Sequence, residues 1–243
     1  MTRFFVQPQD LIDDKIVLTG ENAAHGKVLR LKSGEFVLVC DGEGQECVCE
    51  VTSVAAGEIY LSVKSRQMSE TEASVRVSVY MAFPKADKLE HVIQKATELG
   101  ACEIIAFPSS RCISKPDDKS LSKKLDRWQK IAFSAAEQSG RGLVPTVRVL
   151  ASYKAALEGA LSADKSILFY ENESATTLHM ALENAAYKTI SLISGPEGGF
   201  EESEITQAKE MGIQICTLGK RILRCETAPL CALSAVMYAS GEF

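Results

Sequence analysis

The sequence predicts an α/β protein, with a small β-rich domain leading into a larger one built on a mostly parallel sheet covered by helices. Two observations predict this. Up to about residue 65, short runs alternate apolar and polar positions between glycine turns, the period of half-buried strands. From Val75 onward, short apolar runs alternate with longer segments of helical spacing, as in strands joined by crossover helices.

In the first part, strands are expected at Phe4–Val6, Ile16–Leu18, Phe36–Cys40, Glu46–Val54 and Ile59–Lys64, with one helical stretch, Glu21–Leu31, among them. Asp41-Gly42-Glu43-Gly44 and Ala56-Gly57-Glu58 supply turns. Such a set makes a small barrel or sandwich. The polar run Arg66–Ser74 reads as a linker, which places one domain at 1–72 and the other at 73–243.

In the second part, strands fall near Val75–Ala82, Glu103–Phe107, Ser166–Tyr170, Thr189–Ile193 and Ile213–Leu218. Helices fall near Ala86–Leu99, Leu121–Ser139, Tyr153–Ala160, Thr177–Ala186, Glu202–Met211 and Pro229–Ala239. Along the helix from Leu121, Leu125, Trp128, Ile131, Ala132 and Ala135 form the buried face. On the other side Lys123, Arg127, Lys130, Ser134, Glu137 and Arg141 keep the same spacing. This mostly basic stripe reads either as a solvated helix face or, with the neighbouring loop Arg111-Cys112-Ile113-Ser114-Lys115-Pro116, as a contact for RNA phosphates. In the last helix, Thr227 sits where an N-cap belongs and Pro229 near the first turn. Its body, Leu230–Ala239, carries no charge, so it is buried within the chain or covered by a second subunit.

Composition narrows the class. An apolar fraction of 46% and a charged fraction of 24% are those of a globular protein with a real core. No apolar run reaches membrane-spanning length, and the start Met1–Pro8 is too short for a signal sequence, so a cytoplasmic protein is expected. The eight cysteines include no C-x-x-C pair, which points to reduced thiols and no metal site. The formal charge of −5 is unevenly placed. Residues 1–75 hold seven Lys/Arg against twelve Asp/Glu, whereas residues 111–148 hold nine against four, a local excess suited to a polyanion.

Two loops carry the chemistry: Ser194-Gly195-Pro196-Glu197-Gly198-Gly199-Phe200 and Leu218-Gly219-Lys220-Arg221-Ile222-Leu223-Arg224-Cys225-Glu226-Thr227-Ala228-Pro229. Each follows an expected buried strand and precedes a helix. Glycines there let backbone approach a ligand closely, and open α/β sheets bind ligands at the carboxyl ends of their strands. Two such loops, one helix apart, read as two walls of one pocket. Neither is a G-x-G-x-x-G dinucleotide motif, and no phosphate-binding G-x-x-x-x-G-K-[ST] occurs. None of His25, His91 and His179 lies in a nucleophile signature, so hydrolase chemistry has little support.

These loops, together with Lys95-Ala96-Thr97-Glu98-Leu99-Gly100, Ala135-Ala136-Glu137-Gln138-Ser139-Gly140-Arg141, Arg3-Phe4-Phe5-Val6, His25 and Val28-Leu29-Arg30, closely resemble the RsmE family of 16S rRNA uracil-N3 methyltransferases. The likeness runs from residue 3 to about 238. It implies a SPOUT-type C-terminal domain with a deep trefoil knot around residues 190–230, an N-terminal PUA-like β-barrel, a homodimer, and methylation of one small-subunit uridine at N3. By the same resemblance, S-adenosyl-L-methionine lies against Gly195, Glu197, Gly198 and Gly199, with Leu218, Gly219, Leu223 and Ala228 on the adenine side. Arg224 and Glu226 face the base, and Arg3, Arg30, Lys123, Arg127, Lys130 and Arg141 hold RNA. Cys225 stands where the family commonly has threonine, and Ser194 where it commonly has a larger aliphatic residue. For Glu226 two readings stay open, proton acceptor or structural partner of Arg221 or Arg224, with Glu98 and Glu137 as other acceptors. Another RNA base, or a non-catalytic ribosome-assembly factor, are the competing functions.

Overall fold

The computed structural model describes residues 1–113, 118–183 and 187–243. By its internal contacts the chain forms two units, residues 1–72 with 136–144, and residues 73–135 with 145–243.

The first unit contains β1 (Thr2–Phe5), a 3₁₀ turn (Pro8–Leu11), β2 (Lys15–Leu18), α1 (Gly20–Val28), β3 (Phe36–Cys40), β4 (Gln45–Ala55) and β5 (Glu58–Met68). They make one five-stranded sheet in the order β1-β3-β4-β5-β2. Only the β1–β3 pair is parallel. Alternate residues point inward, so Val37 and Val39, Cys47, Cys49 and Val51, and Ile59 and Leu61 build a core with Phe4, Leu11, Ile16 and Leu18. The expected linker begins later than its polarity indicates. Arg66–Met68 continue β5, because the Arg66 guanidinium donates to the carbonyls of Leu11, Ile12 and Asp13 while Met68 still pairs with Gln45. Residues 136–144 join this unit through a Val144 N–H to Gly42 carbonyl bond of 2.9 Å and through Ala136 packing on Phe5 and Cys40.

The second unit contains β6 (Arg76–Ala82), α2 (Lys88–Glu98), β7 (Glu103–Phe107), α3 (Asp118–Ser139, its last four residues counted with the first unit), β8 (Thr146–Val149), α4 (Tyr153–Ala160), β9 (Lys165–Phe169), α5 (Leu178–Leu182), β10 (Thr189–Ser194), α6 (Glu202–Glu210), β11 (Gln214–Cys216) and α7 (Thr227–Ala239). The sheet order is β11-β9-β10-β6-β7-β8, and every pair is parallel. Both faces are buried, which is why these strands read as continuous apolar runs. Val77, Val79 and Met81 of β6 face a core shared with α2 and α7, whereas Tyr80 and Ala82 face α4 and α6.

Three elements depart from expectation. The edge strand β8 goes unannounced in the sequence because Thr-Val-Arg-Val has one deeply buried residue, Val147. The helix expected over Thr177–Ala186 is shorter: α5 ends where Glu183 turns extended, and residues 184–186 lie outside the described residues. β11 ends at Cys216 because the next residue leaves the sheet, the Thr217 N–H bonding the Thr176 carbonyl at 2.8 Å. From this edge strand the chain passes to α7, which packs on the central strands β10 and β6.

Candidate active site

The loops after β9, β10 and β11 meet at the carboxyl edge of the second unit's sheet and enclose a cavity of about 650 Å³. That is the size of a site for a nucleoside-sized molecule. The glycine loop is shaped by backbone. Gly199 donates to the Pro196 carbonyl at 2.9 Å and holds φ +67°. A Cβ on Gly195 would press within 3.3 Å of Gly199 backbone, and one on Gly198 would meet Arg111, whose guanidinium donates to the Gly198 carbonyl at 2.9 Å. Side chains at these positions would fill the cradle or push its strands apart. The second loop turns at Gly219, φ +106°, where the Thr217 hydroxyl pairs with both the N–H and the carbonyl of Gly219.

One cation ties the two loops together. Lys88, at the start of α2, places its ammonium 2.9 Å from Glu197 and 3.3 Å from Glu226. The backbone N–H of Lys85 also donates to Glu197, at 3.1 Å. Hydrogen bonding to Glu197, and then to Glu226, together with the charge of Glu197, raises the Lys88 pKa against the opposing effect of desolvation. Partial burial pushes the Glu197 carboxyl up, but the Lys88 ammonium and backbone N–H donors outweigh it and hold the group below the usual range. Glu226 is likewise pushed up by burial and brought below that range by its own backbone N–H, the Cys225 thiol and Lys88. Burial, with the Glu226 contact, raises the Cys225 thiol to about 12, so it stays neutral.

The structure brings most of the expected residues together. Gly195, Glu197, Gly198, Gly199, Leu218, Gly219, Leu223, Arg224 and Ala228 all line this cavity. Arg221 and Arg224 are exposed and make no ion pair with any described residue. Glu226 is not in the lining and reaches the site through Lys88. The structural pairing weighed for it therefore exists, with Lys88 in place of Arg221 or Arg224. The first turn of α7 differs by one residue: Glu226 is already helical, and Thr227 and Ala228 donate to the Arg224 carbonyl, so Thr227 is not the cap. Ser194 is buried and donates to the Tyr80 carbonyl, a bond within the sheet. Glu98 pairs with Lys95, and Glu137 lies 3.9 Å from His25; neither lines the cavity.

Two RNA-binding expectations are corrected. Arg3 is committed to Glu46 at 2.8 Å, with its side chain 11% exposed. Arg141 is 4% exposed and bonds Glu72 at 2.6 Å, while the same carboxylate accepts the N–H groups of Gly142 and Leu143. Both guanidinium groups are thus engaged within the chain rather than offered freely to a phosphate. Arg30, Lys123 and Lys130 are exposed, and Arg127 is exposed but paired with Glu90 at 2.7 Å. Ser114, Lys115 and Pro116 lie outside the described residues. Among the described residues there is no metal-binding group of His, Cys, Asp and Glu side chains, and no helix long and apolar enough to cross a membrane.

Lys88 and Glu171, both in the lining, escaped the sequence reading. Lys88 lies 137 residues from Cys225, which its ammonium approaches at 3.7 Å, and no local pattern links positions so far apart.

Residues 71–237 match the RNA methyltransferase domain family, and residues 18–64 match the RNA methyltransferase PUA domain. The chain is 38% identical to the ribosomal RNA small subunit methyltransferase E of Bacillus subtilis, over 98% of this chain and 96% of that protein. It is 35% identical to the enzyme of that name from Mesomycoplasma hyopneumoniae, over 96% and 98%. The crystal structure of the Neisseria gonorrhoeae ribosomal RNA small subunit methyltransferase E bound to S-adenosyl methionine superposes with a TM-score of 0.86 at 31% identity, covering 98% of this chain and 97% of that one. The first unit is thus PUA-like and the second a SPOUT-like methyltransferase domain. With a glycine cradle and a lysine-tied pair of loops at the sheet edge, and with that likeness running along nearly its full length, the chain belongs to the ribosomal RNA small subunit methyltransferase E family.

Proposed function

We propose that this protein methylates N3 of one uridine in small-subunit ribosomal RNA, using S-adenosyl-L-methionine. The observation that carries the reading is the pair of glycine loops enclosing one cavity beside an unpaired arginine, Arg224. The residues present fit the cofactor: a cradle with no Cβ at Gly195, Gly198 and Gly199, and aliphatic surface at Leu218, Leu223 and Ala228. Bound there, the cofactor supplies an electrophilic methyl group on a sulfonium centre.

The chain's own residues supply alignment and charge. Uracil N3 is an imide nitrogen whose lone pair becomes available only as its proton leaves. Holding the base in line with the methyl group contributes several kcal/mol, roughly, to such a displacement. Arg224 stabilises the negative charge that develops on the uracil oxygens beside N3. Glu226, kept ionised and oriented by Lys88 at the margin of the cavity, is our candidate for the proton acceptor. The base is extruded from any pair, since N3 lies inside a Watson–Crick contact. Arg30, Lys123, Arg127 and Lys130 contact the RNA backbone.

The protein acts as a homodimer through α7. One face of that helix packs inward at Ala232, Leu233, Val236 and Met237, while Cys231 and Tyr238 on the opposite side are exposed with no charge between them. Its site of action is the cytoplasm, where ribosomal subunits are built.

The test uses small-subunit particles from cells lacking this protein, labelled S-adenosyl-L-methionine, and reverse transcription of the product. N3-methyluridine cannot pair normally and stops the transcript. One label-dependent stop is expected. No incorporation into particles or free rRNA, with cofactor binding confirmed, removes this substrate and leaves another RNA or a non-catalytic role.

A further inference from the structure

Two carboxylates line this pocket, Glu197 and Glu171, and Glu197 shares Lys88 with Glu226 just outside the lining. Glu171 lines the cavity two residues past the end of β9 and makes no hydrogen bond or ion pair with any described residue. Its carboxylate lies close to Gly199. A Cβ built on Gly199 would collide with the Glu171 carboxylate, lying 3.0 Å from its Cδ and 3.0 Å from Oε2. The carboxylate therefore rests across the backbone of a glycine held at φ +67°.

An ionised carboxylate accepts hydrogen bonds and donates none. If the cavity holds S-adenosyl-L-methionine, on which this inference rests, the ligand's donors are the ribose diol, the α-ammonium and the adenine amino group. The aliphatic residues Leu218, Leu223 and Ala228 offer an apolar wall suited to adenine, and the ribose is the next group along the ligand. Glu171 stands between that wall's loop and the glycine loop. Its two coplanar oxygens match two vicinal hydroxyls, the same chemistry by which an acidic residue takes ribose in dinucleotide sites. We propose that Glu171, seated over Gly199, holds the ribose hydroxyls of the cofactor.

The test measures dissociation constants of wild type, Glu171→Gln and Glu171→Ala for two probes. S-adenosyl-L-methionine carries ribose and ammonium; 5′-methylthioadenosine carries the ribose and lacks the amino-acid part. Because Glu171 is exposed and has no partner among the described residues, both variants should melt like wild type. Loss of a charged hydrogen-bond acceptor is expected to weaken both ligands by roughly tenfold or more in Glu171→Ala, and less in Glu171→Gln. Unchanged affinity for both probes overturns the proposal. So does weakening of S-adenosyl-L-methionine alone, which assigns Glu171 to the ammonium. A wild-type protein that binds neither probe refutes the cofactor reading itself.

Discussion

Lys88 shows how a single side chain can organise a site without any local sequence signal. Its ammonium bridges Glu197 on the glycine loop and Glu226 at the head of α7. The pH consequence has a definite sign. Glu197 and Glu226 are held below the ordinary carboxylate value of 4.5, so their pairing is complete above that value and is lost as pH falls through the lowered folded values. Lys88 is raised above 10.5, so its contribution is complete below that value and is lost only as pH rises beyond the folded value. Cofactor affinity should therefore be flat between 4.5 and 10.5 as far as this cluster is concerned. In Lys88→Met the acid limb of the methylation rate should move to higher pH, as Glu226 returns toward its ordinary range. An unmoved limb in a pH–rate profile would show that Glu226 is not the group being read. Glu226→Gln separates the two readings of that residue: proton acceptance predicts lost turnover at saturating cofactor, whereas a purely structural partner predicts weaker cofactor binding with turnover kept. Gly199→Ala strains a left-handed position and meets Glu171, so cofactor binding measured by calorimetry should be lost.

At the scale of elements, legibility follows from how many residues an element buries. β3, β7 and α4 lie where their apolar patterns place them, because each presents several buried positions in one period. β8 buries one residue deeply and the 3₁₀ turn Pro8–Leu11 buries only Leu11, so neither leaves a pattern to read. The basic stripe on α3 illustrates a different limit. Helical spacing groups Lys123, Arg127, Lys130 and Arg141, but it cannot see that Glu90 and Glu72 wait on other elements. The stripe's role is tested by Lys123→Ala with Lys130→Ala, which should weaken RNA binding and reduce the salt slope by about two. RNA affinity that is unchanged across salt concentrations removes the stripe. Arg141→Ala should instead lower the melting temperature, since it removes the ion-pair partner of the partly buried Glu72 and leaves it only the Gly142 and Leu143 N–H groups.

For the whole molecule, the strand–helix alternation after Val75 foretold the parallel sheet, and its carboxyl edge is where the two glycine loops meet. The grouping of 136–144 with the first unit was invisible in the sequence, because it rests on Glu72, Gly42 and Phe5, all distant along the chain. The chargeless body of α7 was legible as an element needing cover, and the structure buries one side of it. A charge on the other side, as in Tyr238→Glu, should convert a dimer to a monomer in sedimentation; a monomeric wild type would dispose of the dimer. We propose this cavity as the place of methyl transfer, with Arg224 acting on the base. The most direct test is the single-turnover rate of Arg224→Ala with cofactor at saturation and rRNA particles in excess. A fall of roughly 100-fold or more with cofactor affinity unchanged is expected; a wild-type rate in that variant would remove Arg224 from the reacting site.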